Sequence, residues 1–141
     1  MKLHLFGFLL LVSGIALLNS CHNPETPHDG PPASETVTAA AQNKKLVLDF
    51  YQQMFGDKDI SAVDKYIAPE YIQHNPAVAD GAEAFREAAK KWFEGKPKTK
   101  IDVQHIAAEG DLVFLHIKNT RPDGGFKSTI DIFRLKNGKI V

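Results

Sequence analysis

The C-terminal stretch, residues 100–141, constrains the fold most, because runs rich in β-branched and aromatic residues are separated there by glycine turns. Asn137-Gly138 between two such runs is a strong hairpin signal, since a type I′ turn needs positive φ at both central residues. The stretch therefore predicts one curling antiparallel sheet. Its expected strands are Lys100–Ala108, Leu112–Thr120, Phe126–Lys136 and a fourth that begins at Lys139.

One strand of this sheet carries the first chemical clue. The period of two in residues 129–135 places Asp131 on the same face as Phe133 and Leu135. A carboxylate held among apolar neighbours suits a general acid or base. The alternative is a carboxylate paired with Arg or Lys on a half-solvated face. The strand alone leaves both interpretations open.

Length and charge exclude several classes of protein. The chain has 141 residues and no net charge at pH 7, which fits one domain with a genuine core. No stripe of Lys and Arg interleaves with aromatic residues, so we expect no nucleic-acid partner. A single cysteine excludes a disulfide framework, and there is no phosphate-binding glycine loop.

That cysteine follows an N-terminal export pattern. A basic start and an apolar run from Leu3 to Leu18 are typical of a signal peptide, and the run is marginal as a permanent membrane span. Leu18-Asn19-Ser20-Cys21 resembles a bacterial lipobox, which predicts a signal peptide over 1–20 and lipidation of Cys21. Cleavage without lipidation and an uncleaved anchor are the alternatives. His22 after the cysteine favours the outer membrane, so we expect a lipid-anchored protein of the cell envelope.

The segment after the cysteine differs in composition from the rest of the chain. Residues 21–40 are polar and Pro-rich, which predicts an extended tether that leads to a domain over 41–141. The histidines of that domain are His74, His105 and His116.

Apolar residues at helical spacing predict three helices in the first part of the domain, at about 40–55, 60–66 and 81–93. Their aromatic stripes are expected to be mostly core, with a few members lining a pocket. Asp80 is expected to cap the third helix. Residues 71–76, bounded by prolines, predict a short strand and a turn.

Two motifs carry a resemblance to a known family. Tyr71-Ile72-Gln73-His74-Asn75-Pro76, followed by Asp80-Gly81 and Phe85, resembles the signature of SnoaL-like proteins, and so does Ile130–Arg134 followed by Asn137–Val141. The order of elements is also similar to the nuclear transport factor 2-like cone. The resemblance implies an α+β fold in which three N-terminal helices pack on a curved antiparallel sheet and leave a conical pocket.

The resemblance also implies a chemistry. Polyketide cyclases of this family close a ring by an intramolecular aldol reaction that needs neither metal nor cofactor. By resemblance, Asp131 is the acid or base and His74 assists proton transfer or orients the substrate. Tyr71 and Asn75 are the implied hydrogen-bonding groups near the mouth of the pocket, and Trp92 and Phe55 are the implied apolar wall. His116 is a weaker candidate for a substrate contact.

The sequence departs from the family in one respect. In the family, the strand that begins Gly-Lys-Ile-Val usually continues with an acidic-His-Trp-Asp run that faces the pocket, whereas this sequence stops at Val141. Either this is a truncated reading of the chain, or the last strand is truncated and leaves an unpaired edge and an open-sided cone.

Three functions are compatible with these patterns. The first is a proton-transfer enzyme of the aldol type that acts on a small carbonyl compound. The second is a non-catalytic envelope lipoprotein that binds a small apolar ligand. The third is a dimerisation module, because both faces of the strand Leu112–Ile117 are apolar and the outer one is expected to bury a second copy. A metal site from His74, His105 and Asp131 has no supporting ligand spacing.

Overall fold

A computed structural model of the chain describes residues 33–121 and 123–141. The predicted signal peptide, Cys21 and most of the predicted tether lie outside these residues. Within the described ranges, no helix is long and apolar enough to cross a membrane. The elements are α1 (Ala33–Tyr51), a π-helical turn (Gln52–Gly56), α2 (Ala62–Tyr66), α3 (Ala82–Phe93), β1 (Val103–Glu109), β2 (Leu112–Thr120), β3 (Phe126–Lys136) and β4 (Lys139–Ile140).

The four strands form one antiparallel sheet in the order β1-β2-β3-β4. The predicted hairpin between β3 and β4 is confirmed, since Asn137 and Gly138 have φ angles of 52° and 72°. The predicted bounds of β2 and β3 are correct, while β1 begins at Val103 and not at Lys100. The expectation of helices followed by an antiparallel sheet, an α+β fold, is confirmed.

Strand register separates the sheet into two faces. Leu115 lies opposite Asp131, and residues opposite each other in an antiparallel pair point to the same side. We call this side the inner face. His116 lies opposite Ile130, one residue along each strand, so both belong to the outer face. The inner face of β2 is fully buried through Val113, Leu115 and Ile117.

Helix α1 covers the inner face and joins the two parts of the core. Val47 and Tyr51 pack against the buried side chains of β2 and against Leu135. Phe50, on the adjacent side of the same helix, and Met54, in the π-helical turn that continues it, pack with α2, α3 and Ile140 of β4. This is the apolar stripe that the sequence predicted, with spacings of three and four residues.

The first helix starts earlier than expected, at Ala33 instead of about residue 40. Ala33 and the run Ala39–Ala41 have high helix propensity, and Glu35 lies in the first turn, where a carboxylate interacts favourably with the helix dipole. The last part of the predicted tether, residues 33–40, is therefore helical. Ser34, Glu35 and Val37–Ala39 of this part are exposed.

The short strand expected at 71–76 does not form. Its backbone is bonded instead to the residues before α3, because Gln73 N donates to Asp80 Oδ1 at 2.8 Å and Gly81 N donates to Tyr71 O at 2.7 Å. Asp80 is thereby used as a loop acceptor and does not cap α3, whose N-cap is Gly81. The free edge of β4 pairs with Ile67.

The π-helical turn brings α1 against the segment before β1. The Gln52 side chain donates to Thr99 O and accepts from Ile101 N, at 3.2 and 3.1 Å, while Thr99 N donates to Gly56 O at 2.9 Å. A Cβ on Gly56 would lie 2.2 Å from the Gln52 amide and 2.8 Å from Thr99 O. Only glycine allows this close approach.

We predict that Gly56→Ala destabilises the fold by about 1–3 kcal/mol through crowding, measured from urea midpoints of the full chain. Gly110→Ala is the control for backbone strain without crowding, because Gly110 has a φ of 57° but open space around its Cβ position. Backbone strain alone costs about 1 kcal/mol. A Gly56→Ala midpoint equal to that of wild type would contradict the packing argument.

Candidate functional site

A cavity of about 950 Å³ lies between the helices, the loop 70–75 and strand β3. Cavities of this size hold drug-sized ligands. Its walls come from every layer of the domain: Phe50 and Tyr51 of α1, Phe55 of the π-helical turn, Phe85 and Trp92 of α3, and residues 130–134 of β3.

Asp131 is the one carboxylate that β3 contributes to this cavity. Its side chain is half-buried on the inner face, and its Oδ2 accepts a hydrogen bond of 2.9 Å from the Tyr51 hydroxyl. Among the described residues Asp131 makes no ion pair. Of the two interpretations of this aspartate, the structure therefore supports a carboxylate in an apolar hollow.

Two tyrosines stay protonated beside this carboxylate. Burial raises the pKa of the Tyr51 hydroxyl above its ordinary value, and the charge of Asp131 and the hydrogen bond to it add to the rise. Burial also raises the pKa of Tyr71; a hydrogen bond with Gln73 opposes this shift, and the charge of Asp131 adds to it. Both groups are therefore neutral hydrogen-bond donors at physiological pH.

The loop 70–75 places the polar motif of the sequence at the mouth of the cavity. Tyr71 is half-buried and packs on Phe85 with ring centroids 5.6 Å apart, whereas His74 and Asn75 are exposed. The Oδ1 atom of Asn75 accepts from Ala77 N at 3.0 Å, which leaves its amide N–H groups for a ligand.

The floor of the cavity is a cluster of aromatic rings. Phe50 lies at its centre, with edge contacts to Phe55 and Phe133 at centroid distances of 6.0 and 5.9 Å. Tyr51 and Phe55 are 4.6 Å apart, and Phe85 contacts Trp92 at 6.2 Å. Such rings supply large apolar area in fixed orientations, which suits a flat, mainly apolar ligand.

Six of the seven predicted catalytic and binding residues line this one cavity. They are Asp131, His74, Tyr71, Asn75, Trp92 and Phe55. No hydrogen bond joins His74 to Asp131 within the described part of the chain, so the two share the cavity without direct contact.

His116, the weaker of the predicted substrate contacts, does not line this cavity. His116 lies on the outer face, where its ring stacks on His105 at 5.5 Å and its Nε2 is 2.6 Å from Ser128 Oγ. Its strand turns Val113, Leu115 and Ile117 inward, so the residues between them must point outward. His105 and Asp131 lie on opposite faces, and residues 33–121 and 123–141 contain no cluster of three or more His, Cys, Asp or Glu arranged to bind a metal.

Sequence reasoning missed Tyr51, which it treated as a core aromatic. The hydroxyl of a buried tyrosine usually has a hydrogen-bond partner. The signal was therefore that Tyr51, if buried, needs an acceptor near the end of α1. The acceptor, Asp131, is 80 residues away in the sequence. No local pattern identifies that pairing.

The arrangement suits proton transfer to or from carbon. Tyr51 holds one carboxylate oxygen of Asp131, and the other oxygen has no hydrogen bond among the described residues. One fixed and one available carboxylate oxygen, in a cavity lined by aromatic rings, is the arrangement that a general base requires.

Comparison with known proteins adds a family and a fold. The chain matches the SnoaL-like domain family over residues 47–141. A candidate polyketide cyclase from Acidithiobacillus ferrooxidans is 21% identical, with a TM-score of 0.58 over 70% of this chain and 82% of its own. No curated protein sequence matches the chain significantly.

Two further solved structures agree with this fold. An LEH-like epoxide hydrolase from M. tuberculosis is 14% identical, with a TM-score of 0.56 over 72% of this chain and 79% of its own. An NTF-2 like protein from Burkholderia xenovorans is 17% identical, with a TM-score of 0.56 over 72% and 78%. The expected nuclear transport factor 2-like fold is confirmed.

We predict that Tyr51→Phe lowers the free energy of unfolding by about 1–2 kcal/mol at neutral pH, because Asp131 loses a buried donor. The raised pKa of Tyr51 means that its stabilising contribution is complete below about pH 10 and is lost as the pH rises further. Wild type should therefore lose stability more steeply than the variant above about pH 10.

Urea unfolding of both proteins between about pH 7 and pH 11 measures this difference. Tyr66→Phe is the matched control at neutral pH, since Tyr66 is buried but bonds to no carboxylate among the described residues. Identical alkaline slopes for wild type and Tyr51→Phe would refute the assignment.

Proposed function

Because the chain belongs to the SnoaL-like domain family, which it matches over residues 47–141, we propose that it is a cofactor-independent enzyme of the aldol type that moves a proton on a small carbonyl compound. The observation that carries this proposal is the Asp131 carboxylate, which is held by Tyr51 in an aromatic cavity without a cationic partner among the described residues.

The proposed reaction uses the free oxygen of Asp131 as the base. It removes the α-proton of the bound carbonyl compound, and the electron pair of that C–H bond forms an enolate. The enolate carbon attacks a second carbonyl group of the same molecule, a C–C bond forms, and the resulting alkoxide takes the proton back from Asp131. Protons and electrons balance within the substrate, so the step requires no oxidant or reductant.

Polar groups at the mouth are proposed to hold the enolate oxygen. Tyr71 is a neutral donor beside Asp131, and His74 and Asn75 present N–H groups from the same loop. Trp92 and Phe55 are proposed as apolar walls that orient the substrate and exclude water. The relatives described as a candidate polyketide cyclase and an LEH-like epoxide hydrolase support an acid–base role for a cavity of this fold.

A second candidate function is binding without catalysis. It is favoured by the exposure of His74, which makes no hydrogen bond to Asp131 within the described residues, and by the aromatic floor, which would hold a small apolar ligand whether or not chemistry follows. In this case the protein would be a ligand-binding lipoprotein of the cell envelope.

We propose that either function is carried out at the cell envelope. The support is the sequence alone: the export pattern over 1–20, the lipobox-like Leu18-Asn19-Ser20-Cys21 and the Pro-rich segment after it. Acylation of Cys21 with more than one acyl chain would anchor the protein stably. His22 after the cysteine favours the outer membrane as the site of this anchoring.

We predict that Asp131→Asn lowers α-proton exchange by at least about 100-fold, because the amide cannot accept the proton. The measurement is NMR of small ketones and β-dicarbonyl compounds incubated with the full chain in deuterated water. Asp123→Asn is the control, since Asp123 is an exposed carboxylate in the turn before β3. Exchange that is equal in wild type and Asp131→Asn would refute the enzyme proposal.

The same compounds distinguish the second candidate. Trp92 is the only tryptophan of the chain and lines the cavity, so its fluorescence reports ligand binding directly. Saturable quenching without exchange in wild type would favour the binding protein over the enzyme.

For the envelope proposal, we predict that Cys21→Ala moves the protein from the membrane fraction to the soluble fraction of a bacterial host and abolishes its labelling by radioactive palmitate. Ser20→Ala, which keeps a small residue before the cysteine, is the control that should remain labelled. Palmitate labelling that persists in Cys21→Ala would show that Cys21 is not the acylated residue.

A further inference from the structure

The loop that carries Tyr71 holds a second polar side chain at the cavity, that of Gln73. Both residues are half-buried and line the cavity, whereas Ile72 between them and His74 after them are exposed. Their shared burial between exposed neighbours places the two side chains on the covered side of the loop. The phenol and the amide therefore reach the ligand space together.

The backbone of this loop is fixed at both residues. Tyr71 N donates to Ala68 O at 3.1 Å, and Tyr71 O accepts from Gly81 N at 2.7 Å. Gln73 N donates to Asp80 Oδ1 at 2.8 Å. A loop whose backbone groups are bonded in this way holds its side chains in one arrangement, as a positioned polar site requires.

The side-chain amide of Gln73 has a defined orientation. Its Oε1 accepts from Asn75 N at 3.1 Å, within the same loop. Its N–H groups are thereby left for the Tyr71 hydroxyl, to which the side chain is hydrogen-bonded. Burial raises the pKa of Tyr71 and this bond opposes the rise, as expected when the amide donates to the phenolic oxygen.

The direction of this bond decides where the hydroxyl proton of Tyr71 can go. The phenolic oxygen accepts from Gln73, so its own proton is available to a different acceptor. Among the described residues Tyr71 makes no hydrogen bond to Asp131, whose Oδ2 is bonded to Tyr51 instead. The hydroxyl proton of Tyr71 is therefore left for an oxygen of the ligand.

We propose that Gln73 is a positioning residue, which fixes the Tyr71 hydroxyl as the donor to the substrate oxygen that becomes negative in the reaction. This inference rests on the proposed enzyme function and deepens it. The two tyrosines then have separate roles: Tyr51 orients the base, and Tyr71, held by Gln73, stabilises the charge that the base creates. The preferred ligand is a flat molecule with an anionic oxygen, such as an enolate or a phenolate.

The test uses para-nitrophenolate, a flat ring with one oxyanion, as a probe that resembles the enolate. The full chain carries Asp131→Asn, because the charge of Asp131 would repel the probe, whereas the neutral amide resembles the protonated base. Binding is followed by the quenching of Trp92 fluorescence in the cavity. A chain with Asp131→Asn that does not bind this probe would overturn the proposal.

Variants of the two loop residues are compared in this background. Tyr71→Phe should raise the dissociation constant of the probe at least about ten-fold, because a hydrogen bond to a charged oxygen is lost. Gln73→Met, of similar size, should raise it about three- to ten-fold, because the hydroxyl is no longer oriented. Gln104→Met is the matched control, since Gln104 is exposed on β1 and bonds to Asp102, away from the cavity.

A double-variant cycle separates positioning from a structural effect. If Gln73 acts through Tyr71, Gln73→Met should change the dissociation constant less than about two-fold once Tyr71→Phe is present. Gln73→Glu keeps an acceptor for Asn75 N but also accepts the Tyr71 proton, so it should weaken binding at least as much as Gln73→Met. An unchanged dissociation constant in Gln73→Met, or an equal loss with and without Tyr71→Phe, would overturn the proposal.

The enzyme proposal has its own readout, which is α-proton exchange by the chain with Asp131 intact. Absence of exchange would refute the enzyme and leave the result of the binding cycle unaffected. A cycle without coupling between Gln73 and Tyr71, in a chain that does exchange protons, would refute the positioning role alone.

Discussion

The rest of the structure depends on the packing of helix α1 across the inner face of the sheet. Val47 and Tyr51 contact the buried residues of β2. Phe50, together with Met54 of the π-helical turn that continues the helix, packs with α2 and α3. The sheet and the other helices make their main apolar contacts through this one element. The spacing of its apolar residues, three and four apart, gives a stripe wide enough to bury both sides.

Tyr51 connects this packing to the candidate chemistry. Its ring belongs to the core, while its hydroxyl reaches the cavity and bonds to Asp131 at 2.9 Å. A change in the position of α1 would therefore alter the geometry of the carboxylate as well as the stability of the domain. The π-helical turn that follows, fixed by Gln52 against Thr99 and Ile101, sets where α1 ends and where Phe55 enters the cavity.

The sheet has two apolar faces, and the helices cover only one of them. Val113 and Leu115 are buried on the inner face, whereas Phe114, Ile130 and Ile132 on the outer face have no covering layer among the described residues. An antiparallel sheet with one solvated face normally carries polar residues there. The apolar outer face of this sheet departs from that pattern.

The sequence by itself determined the strands, the Asn137-Gly138 turn and the apolar stripe of α1, because hydrophobic periodicity and turn chemistry act over a few residues. Two local motifs also contained four of the six predicted residues that line the cavity: Tyr71, His74, Asn75 and Asp131. Only the tertiary structure decided that Tyr51 meets Asp131, that His116 points outward and that 71–76 bonds to Asp80 and not to a strand. The alternation of residues along a strand shows which side chains share a face of the sheet. Which of the two faces is buried depends on where α1 packs, and the position of α1 is set by contacts between distant parts of the chain.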